Sequence, residues 1–323
     1  MMRLATALLL LLPVAVVQQP AFRSDTEMVR IDTLVVRDNK PLAGLTAADF
    51  ELRDNGKLQR ILALHQMADV TVGIGLDASG SMAGDRIGHA TDATLALLGQ
   101  LHDGDTSVVV AIGQQSSLVI PPGTPFASAA ESLKAIRPSG WTALSDGVYA
   151  AVVASDTGPG SKLLVLLTDG RNNASWLPAR AVIDTARRRE VVIYAVGVGL
   201  TRPGLIPGGP AQPIVPASAS AESLNAAMHQ TFTPLATAGV REDDARTFLE
   251  ILARETGGRA LNVKWTDDLS AIFRGILDEY RQRYILAFTP EGVAKGDGWH
   301  KLDVKLIRGR KGTIHARAGY WAK

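Results

Sequence analysis

The sequence predicts an α/β protein with a doubly wound, Rossmann-like and mostly parallel sheet that has helices on both faces. Between residues 67 and 281, apolar strands alternate with helical patterns, which is typical of successive βαβ units. The run Lys162–Thr168 is apolar from Leu163 to Leu167, as expected for a strand buried on both faces of a parallel sheet. The segments on either side alternate in polarity, which indicates half-buried antiparallel strands.

The N-terminus predicts export. Arg3 precedes an apolar run from Leu4 to Val17, and a run of about 14 residues is typical of a signal peptide and short for a membrane span. We interpret residues 1–21 as this signal and expect cleavage between Ala15 and Ala21, with an uncleaved N-terminal anchor as the alternative. The mature protein would then be secreted or periplasmic, with no membrane span.

Composition excludes several classes of function. The chain has no cysteine, so disulfides, iron–sulfur clusters, cysteine zinc sites and a lipid-modified cysteine are excluded. The net charge of +2 over 323 residues argues against nucleic acid as a partner. The charged fraction of 20% and the hydrophobic fraction of 46% indicate an ordinary folded chain, with ample length for a core.

Both ends of the mature chain predict β structure. In residues 22–66, Thr46 is expected to cap one helical turn, and Asn55-Gly56 predicts a hairpin whose second strand is Leu58–Ala63. Residues 282–323 alternate in polarity as well. Because neither segment has enough strands to be stable alone, we expect them to pack together as a small β-sandwich-like subdomain.

Residues 67–281 are expected to hold the α/β core. Ser128 and Glu131 have the spacing of a capping box and predict the start of a helix there. The segment 201–239 interrupts the alternation with prolines, glycines and small residues. We interpret that segment as an insertion.

Five oxygen-bearing side chains are predicted to meet at one edge of the sheet. The first core strand stops at Asp77, and the loop after it supplies Ser79 and Ser81. Asp169 ends the buried strand, and Thr142 lies in a loop before a helix. Because ligands of open α/β sheets bind at the carboxyl ends of the strands, these oxygens would surround one point, where a small hard cation fits.

These motifs resemble those of the von Willebrand factor A (vWA) domain. The resemblance rests on D-A-S-G-S from Asp77, on a threonine in the context G-W-T-A-L, and on T-D-G at Asp169, and it extends from about Ala68 to Arg281. The flanking segments resemble those of bacterial secreted vWA-related proteins. In this family the matching residues form a metal-ion-dependent adhesion site (MIDAS) that binds Mg²⁺.

The resemblance implies a division of roles at the site. Ser79, Ser81 and Thr142 would bind the metal through their hydroxyls, and Asp77 and Asp169 would bind it directly or through water. Oxygen donors of this kind also accept Mn²⁺ or Ca²⁺. The function implied is adhesion or assembly, in which an exposed Asp or Glu of a partner protein binds the metal.

Five residues near the loops are predicted to contact the partner: Met82, Trp141, Arg171, Asn172 and Trp176. For the two tryptophans there is an alternative. Trp141 would pack under its loop, and Trp176 would cover the following helix.

An alternative function is a metal-dependent hydrolase or phosphatase that uses the same carboxylates. The sequence favours a binding module and predicts no enzyme, because it offers no general base or second metal site. A phosphatase of the haloacid-dehalogenase type needs an Asp where Ser79 stands. The six histidines form no pattern, and His300 and His315 are expected on outward faces. A third alternative is that Glu222 of the insertion occupies the site.

Overall fold

The structure is a computed structural model that describes residues 28–66, 69–200, 245–292 and 298–322. The expected signal peptide at 1–21, the expected insertion at 201–239 and Glu222 within it all lie outside the described residues.

The described strands and helices alternate through the middle of the chain. The strands are, in chain order, β1 (Val29–Arg37), β2 (Lys40–Pro41), β3 (Phe50–Asp54), β4 (Lys57–Gln59), β5 (Ile61–Gln66), β6 (Val70–Asp77), β7 (Thr106–Ile112), β8 (Ser117–Ile120), β9 (Ser161–Thr168), β10 (Val191–Val198), β11 (Ala260–Val263), β12 (Tyr284–Phe288), β13 (Gly298–Leu306), β14 (Thr313–Ala316) and β15 (Gly319–Ala322). The helices are α1 (Asp85–Leu98), α2 (Phe126–Lys134), α3 (Leu144–Asp156), α4 (Ala179–Arg188), α5 (Ala245–Glu255) and α6 (Leu269–Arg281).

The core is a six-stranded sheet in the order β11-β10-β9-β6-β7-β8. All neighbouring strands are parallel except β8, which is antiparallel to β7 at one edge. Helices α1, α2 and α6 contribute apolar side chains to the cluster on one face, and α3, α4 and α5 contribute to the cluster on the other. The predicted doubly wound α/β sheet is therefore confirmed.

Strand β6 lies in the middle of this sheet and is buried along its whole length. Its bulky side chains pack in the cluster with α1 and α6. On its other face, Gly73 and Gly75 leave room for α3, since a Cβ atom at Gly73 would collide with the Ser155 side chain. Close packing on both sides fixes the point at which β6 ends and therefore the position of Asp77.

The strands from both ends of the chain form a second unit, called here the terminal β unit. One antiparallel sheet has the order β14-β1-β12-β5, with β2 paired to β1, and the other has the order β15-β13-β3-β4. A common apolar cluster between them includes Ile31, Leu52, Leu286 and Leu302. Strands from both ends of the chain thus share these two sheets and one apolar cluster, while the expected domain boundaries stay a prediction.

Two local predictions in the terminal β unit are confirmed, and one is wrong. A single helical turn follows Thr46, and Asn55 and Gly56 both have positive φ in the turn between β3 and β4. The second strand of this hairpin, however, ends at Gln59. The chain then forms β5, which pairs with β12 rather than with β3, because the turn determines only the pairing next to it.

Two further predictions are corrected. Helix α2 begins at Phe126 after Pro125 and not at a cap formed by Ser128, because Pro125 ends the preceding extended segment. His300 does not point outward, since it is only 5% exposed and its Nδ1 lies 2.9 Å from Asp54 Oδ1. Alternation alone did not reveal that a polar pair lies on the inner face of the sandwich.

The terminal β unit joins the core at the amino ends of the parallel strands, since β5 leads into β6 and α6 leads into β12. Arg283 stabilises this junction with a wholly buried side chain. Its Nη2 donates to the main-chain oxygens of Asp32, Gly257 and His315 at 2.7–3.1 Å. The carboxyl ends of the strands, where the predicted site lies, are at the opposite edge.

Candidate metal centre

Asp77 ends strand β6 with a side chain that is 0% exposed. Its Oδ1 accepts hydrogen bonds from the Ser79 amide at 3.0 Å and from the Ser79 hydroxyl at 2.6 Å. Its Oδ2 accepts a hydrogen bond from the Thr168 hydroxyl at 2.8 Å. All three donors are neutral, so the carboxylate is oriented by hydrogen bonds that do not compensate its charge.

The loop after Asp77 lies close to the loop that contains Thr142. The hydroxyls of Ser79 and Ser81 are 3.0 Å apart. The Gly80 amide donates to the carbonyl oxygen of Gly140 at 3.0 Å, and a Cβ atom at Gly80 would be only 3.2 Å from that oxygen. Glycine at position 80 therefore allows the two loops to approach, as the spacing D-x-S-G-S suggests.

Thr142 is 1% exposed and is held by the segment that follows Asp169. Its amide donates to Asn173 Oδ1 at 2.8 Å, and its carbonyl oxygen accepts from the amides of Asn173 and Ala174 at 3.0 and 3.1 Å. The loops that contain Asp77, Thr142 and Asp169 are thus tied to one another at one edge of the sheet.

Asp169 follows β9 and lies close enough to Asp77 for the two charges to interact. Its side chain is 9% exposed, and its Oδ1 is buried without a hydrogen-bond partner among the described residues. Among the described residues, the cation of its salt bridge is Arg86, whose Nη1 lies 4.0 Å from Asp169 Oδ2. A buried carboxylate oxygen without a donor is costly, and a cation would satisfy it.

The electrostatics at Asp77 agree with this arrangement. Burial raises the pKa of Asp77, the hydrogen bonds from Ser79 and Thr168 lower it, and the neighbouring charge of Asp169 raises it again, with a net rise. Two close carboxylates and an unpaired oxygen have the charge and the donor type that a divalent, oxygen-preferring cation needs. The residues present therefore fit a metal ion.

Comparison with known proteins identifies the core. Residues 73–172 match the family model of the von Willebrand factor type A domain. The chain contains a vWA domain. The match spans Asp77, Ser79, Ser81, Thr142 and Asp169, so every predicted ligand lies inside it.

One curated relative and two solved structures show the range of similar proteins. The magnesium-chelatase 67 kDa subunit of Chlorobaculum parvum is 32% identical over 117 residues, which are 34% of this chain. The aligned part is 18% of that subunit's length. A mussel byssus proximal thread matrix protein, with a zinc-occupied MIDAS motif, is 16% identical with a TM-score of 0.49, over 71% of this chain and 50% of that one. A von Willebrand factor type A protein from Catenulispora acidiphila is 15% identical with a TM-score of 0.46, over 89% of this chain and 76% of that one.

The vWA domain does not present all five predicted partner contacts. Met82 is 0% exposed and packs in the apolar cluster beneath the loop, so its predicted role at the surface is wrong. The short helical turn Gly80–Met82 directs its side chain inward. Trp141 and Trp176, in contrast, are 62% and 88% exposed, which contradicts the alternative that they are packed.

Arg171 and Asn172 are exposed, and they differ in their contacts. Asn172 Oδ1 accepts from the Leu144 amide at 3.2 Å and from the Ser175 hydroxyl at 2.5 Å. Its Nδ2 donates to the Ser145 hydroxyl at 3.1 Å. Asn172 therefore holds the start of α3 in place, and its contact with a partner stays a prediction, as it does for Arg171.

Two residues at this edge were not predicted. Thr168 donates to Asp77 and accepts from the Gly170 amide at 2.9 Å, so it links the two carboxylate loops. Its place at the carboxyl end of an apolar strand was a usable signal. Arg86 gave no such signal, since nothing in the sequence indicates that a residue in α1 approaches Asp169.

The described ranges contain no group of three or more His, Cys, Asp or Glu residues placed to hold a metal. The candidate centre therefore depends on its serine and threonine hydroxyls together with the two aspartates. No helix within these ranges is long and apolar enough to span a membrane.

Proposed function

We propose that this protein binds a partner protein through a divalent cation. Mg²⁺ is the first candidate, and Mn²⁺ or Ca²⁺ are the alternatives. The cation would be held by the side chains of Asp77, Ser79, Ser81, Thr142 and Asp169. The observation that supports the proposal most directly is the buried, unpaired Oδ1 of Asp169 close to the uncompensated carboxylate of Asp77. A metal ion would bind the unpaired oxygen of Asp169 and would also compensate the charge of Asp77.

The donor set explains why such a site would bind a partner. Two carboxylates balance the charge of a divalent ion, and the three hydroxyls add neutral oxygens. Mg²⁺ takes six oxygen ligands and keeps water where the protein supplies none. When bound, the cation would supply the positive charge that attracts the carboxylate of an exposed Asp or Glu on the partner.

The surface around the centre supports a protein partner. Trp141 and Trp176 are large apolar side chains that stand in solvent near the loops. Asp146 accepts hydrogen bonds from the amides of Trp176 and Leu177 at 2.8–3.2 Å and so fixes the loop that presents Trp176. Tryptophan is enriched in protein interfaces relative to the rest of the surface.

We infer a binding module rather than an enzyme, acting outside the cytoplasm as the N-terminal sequence suggests. A hydrolase needs a general base near the reacting atoms. His300 is buried in the terminal β unit, which joins the sheet at the edge opposite Asp77. His315 belongs to the same unit.

The test is calorimetric titration of Mg²⁺ and Mn²⁺ into the mature protein. We expect one binding event in the wild type and its loss in Asp77→Ala. Asp303→Ala is the matched control, because Asp303 is 45% exposed on β13 in the terminal β unit. Equal metal affinity in the wild type and Asp77→Ala would contradict the proposal.

A second measurement separates binding from catalysis. A partner captured from the secreted or periplasmic fraction of the producing cell should be released intact by EDTA. Recovery of a cleaved partner would favour a metal-dependent hydrolase at the same carboxylates. Capture that does not respond to EDTA, in a protein that does bind Mg²⁺, would show that the partner uses another surface.

A further inference from the structure

Arg86 lies in the first turn of α1, beside the candidate metal centre. Its Nη1 donates to the carbonyl oxygen of Ser81 at 3.0 Å and lies 4.0 Å from Asp169 Oδ2. Ser81 and Asp169 belong to two of the three loops that would hold the metal. A single guanidinium therefore contacts both loops.

An aromatic ring keeps this guanidinium in place. The central carbon of the Arg86 guanidinium lies 5.3 Å from the ring centre of Trp265, within the range of a cation–π contact. Trp265 is itself partly buried against the core cluster. The Arg86 side chain nevertheless remains 46% exposed. Its charge is held at the edge of the site and is open to solvent.

The balance of charge gives Arg86 a further role. In a loaded site the carboxylates of Asp77 and Asp169 balance a divalent ion, so the positive charge of Arg86 is left over. A guanidinium has five N–H donors, and the Ser81 carbonyl and Asp169 engage only one nitrogen, Nη1. The remaining donors suit a carboxylate, which guanidinium groups often bind through two parallel hydrogen bonds.

We propose that Arg86 is a second contact for the partner's carboxylate, and this inference rests on the proposed function. One carboxylate oxygen binds the metal while Arg86 donates to the other. The pair selects an ionised Asp or Glu over a neutral amide or hydroxyl, because only a carboxylate supplies two oxygens and a negative charge. Arg86 is thus a specificity-determining residue of the binding edge.

A purely structural role for Arg86 predicts a different result. If the guanidinium only orients Asp169, its removal weakens the metal site. If it contacts the partner, its removal takes a positive charge away from a cation site, and metal affinity stays equal or rises. The structural role therefore predicts a loss of metal affinity, and the role as a partner contact predicts no loss.

The experiment titrates Mn²⁺ into Arg86→Gln and then titrates acetate or acetamide into the Mn²⁺-loaded protein at constant ionic strength. Water-proton relaxation reports the loss of metal-bound water. We expect the Mn²⁺ affinity to be unchanged or to rise by about two- to threefold, since an exposed charge is screened. The acetate affinity should fall by about tenfold, as expected for a lost charge-assisted hydrogen bond, with little change for acetamide.

Two variants complete the test. Arg86→Lys keeps the positive charge but lacks the planar guanidinium. Its acetate affinity should therefore lie between that of the wild type and that of Arg86→Gln. Arg53→Gln removes an arginine in the terminal β unit, where it pairs with Glu51, and should change neither affinity. If the acetate affinity of Arg86→Gln is unchanged, or if its Mn²⁺ affinity falls together with its acetate affinity, the proposed role of Arg86 is overturned and the proposed function still stands. Failure of the wild type to bind Mn²⁺ overturns the proposed function as well.

Discussion

Asp54 and Asp77 are the same residue type with the same burial, yet their surroundings differ. Both are 0% exposed. Asp54 lies in the terminal β unit, where the ring nitrogen Nδ1 of His300 is 2.9 and 3.1 Å from its two oxygens. The Tyr320 hydroxyl donates to Asp54 Oδ2 at 2.6 Å. Each oxygen of this carboxylate therefore has a partner on a neighbouring strand.

Asp77, at the opposite edge of the core sheet, has no such partner. Its donors are a backbone amide and two hydroxyls, and its charged neighbour is a second carboxylate, Asp169. A buried charge without compensation is expensive, and a fold keeps one only where something else stabilises it. The two aspartates thus share their burial and differ in their partners, and this difference is the reason why Asp77 rather than Asp54 is proposed as a metal ligand.

The largest expected effect tests the structural half of this comparison. Asp54→Ala should lower the free energy of unfolding by about 3 to 5 kcal/mol, because His300 and Tyr320 lose a buried partner. Urea unfolding measures the change. Asp303→Ala on the exposed face of the same unit should stay within about 0.5 kcal/mol of wild type. A loss below 1 kcal/mol for Asp54→Ala, on the order of a surface change, would remove the distinction.

The second prediction concerns Asp77, and here the substitution is expected to stabilise the metal-free protein rather than destabilise it. In metal-free protein, Asp77→Asn should raise the free energy of unfolding by about 1 to 2 kcal/mol, because it removes an uncompensated buried charge. In excess Mg²⁺ the order should reverse. The wild type gains about 2.7 kcal/mol at a hundredfold excess over Kd, and the variant gains nothing.

Thermal or urea unfolding measures the free energy of unfolding of the wild type and of Asp77→Asn, each in EDTA and in Mg²⁺. Asp54→Asn serves as the matched variant, and it should be destabilised to the same extent with and without the metal. If Asp77→Asn were destabilised in EDTA as strongly as Asp54→Asn, Asp77 would be an ordinary structural aspartate.

The smallest effect on stability is expected at the surface. Trp176→Ala should change the free energy of unfolding by less than about 0.5 kcal/mol, because the side chain is 88% exposed, and it should leave the Mg²⁺ affinity unaltered. Mg²⁺-dependent capture of the partner should nevertheless fall. Unimpaired capture by this variant would mean that the tryptophan lies outside the interface.

Much of the architecture was predictable because it depends on local periodicity. The alternation of apolar residues in β6 indicates where that strand runs and that Asp77 ends it. The apolar run before Asp169 predicts a central strand, and β9 is one. Since parallel strands end at a common edge, the positions of both aspartates follow from the sequence alone.

The details that the sequence missed all involve residues far apart in the chain. The pairing of β5 with β12, the buried pair of Asp54 and His300, and the approach of Arg86 to Asp169 are of this kind. A local pattern states which face of an element is buried. It does not state which element covers that face.

The sequence by itself therefore determined the fold class and the loop that begins the candidate metal centre, with the oxygen donors it supplies. Only the tertiary structure decided which buried carboxylate is paired and which is left without compensation. The physical reason is that the cost of a buried charge depends on the groups within a few ångströms of it. Packing between distant segments brings those groups together.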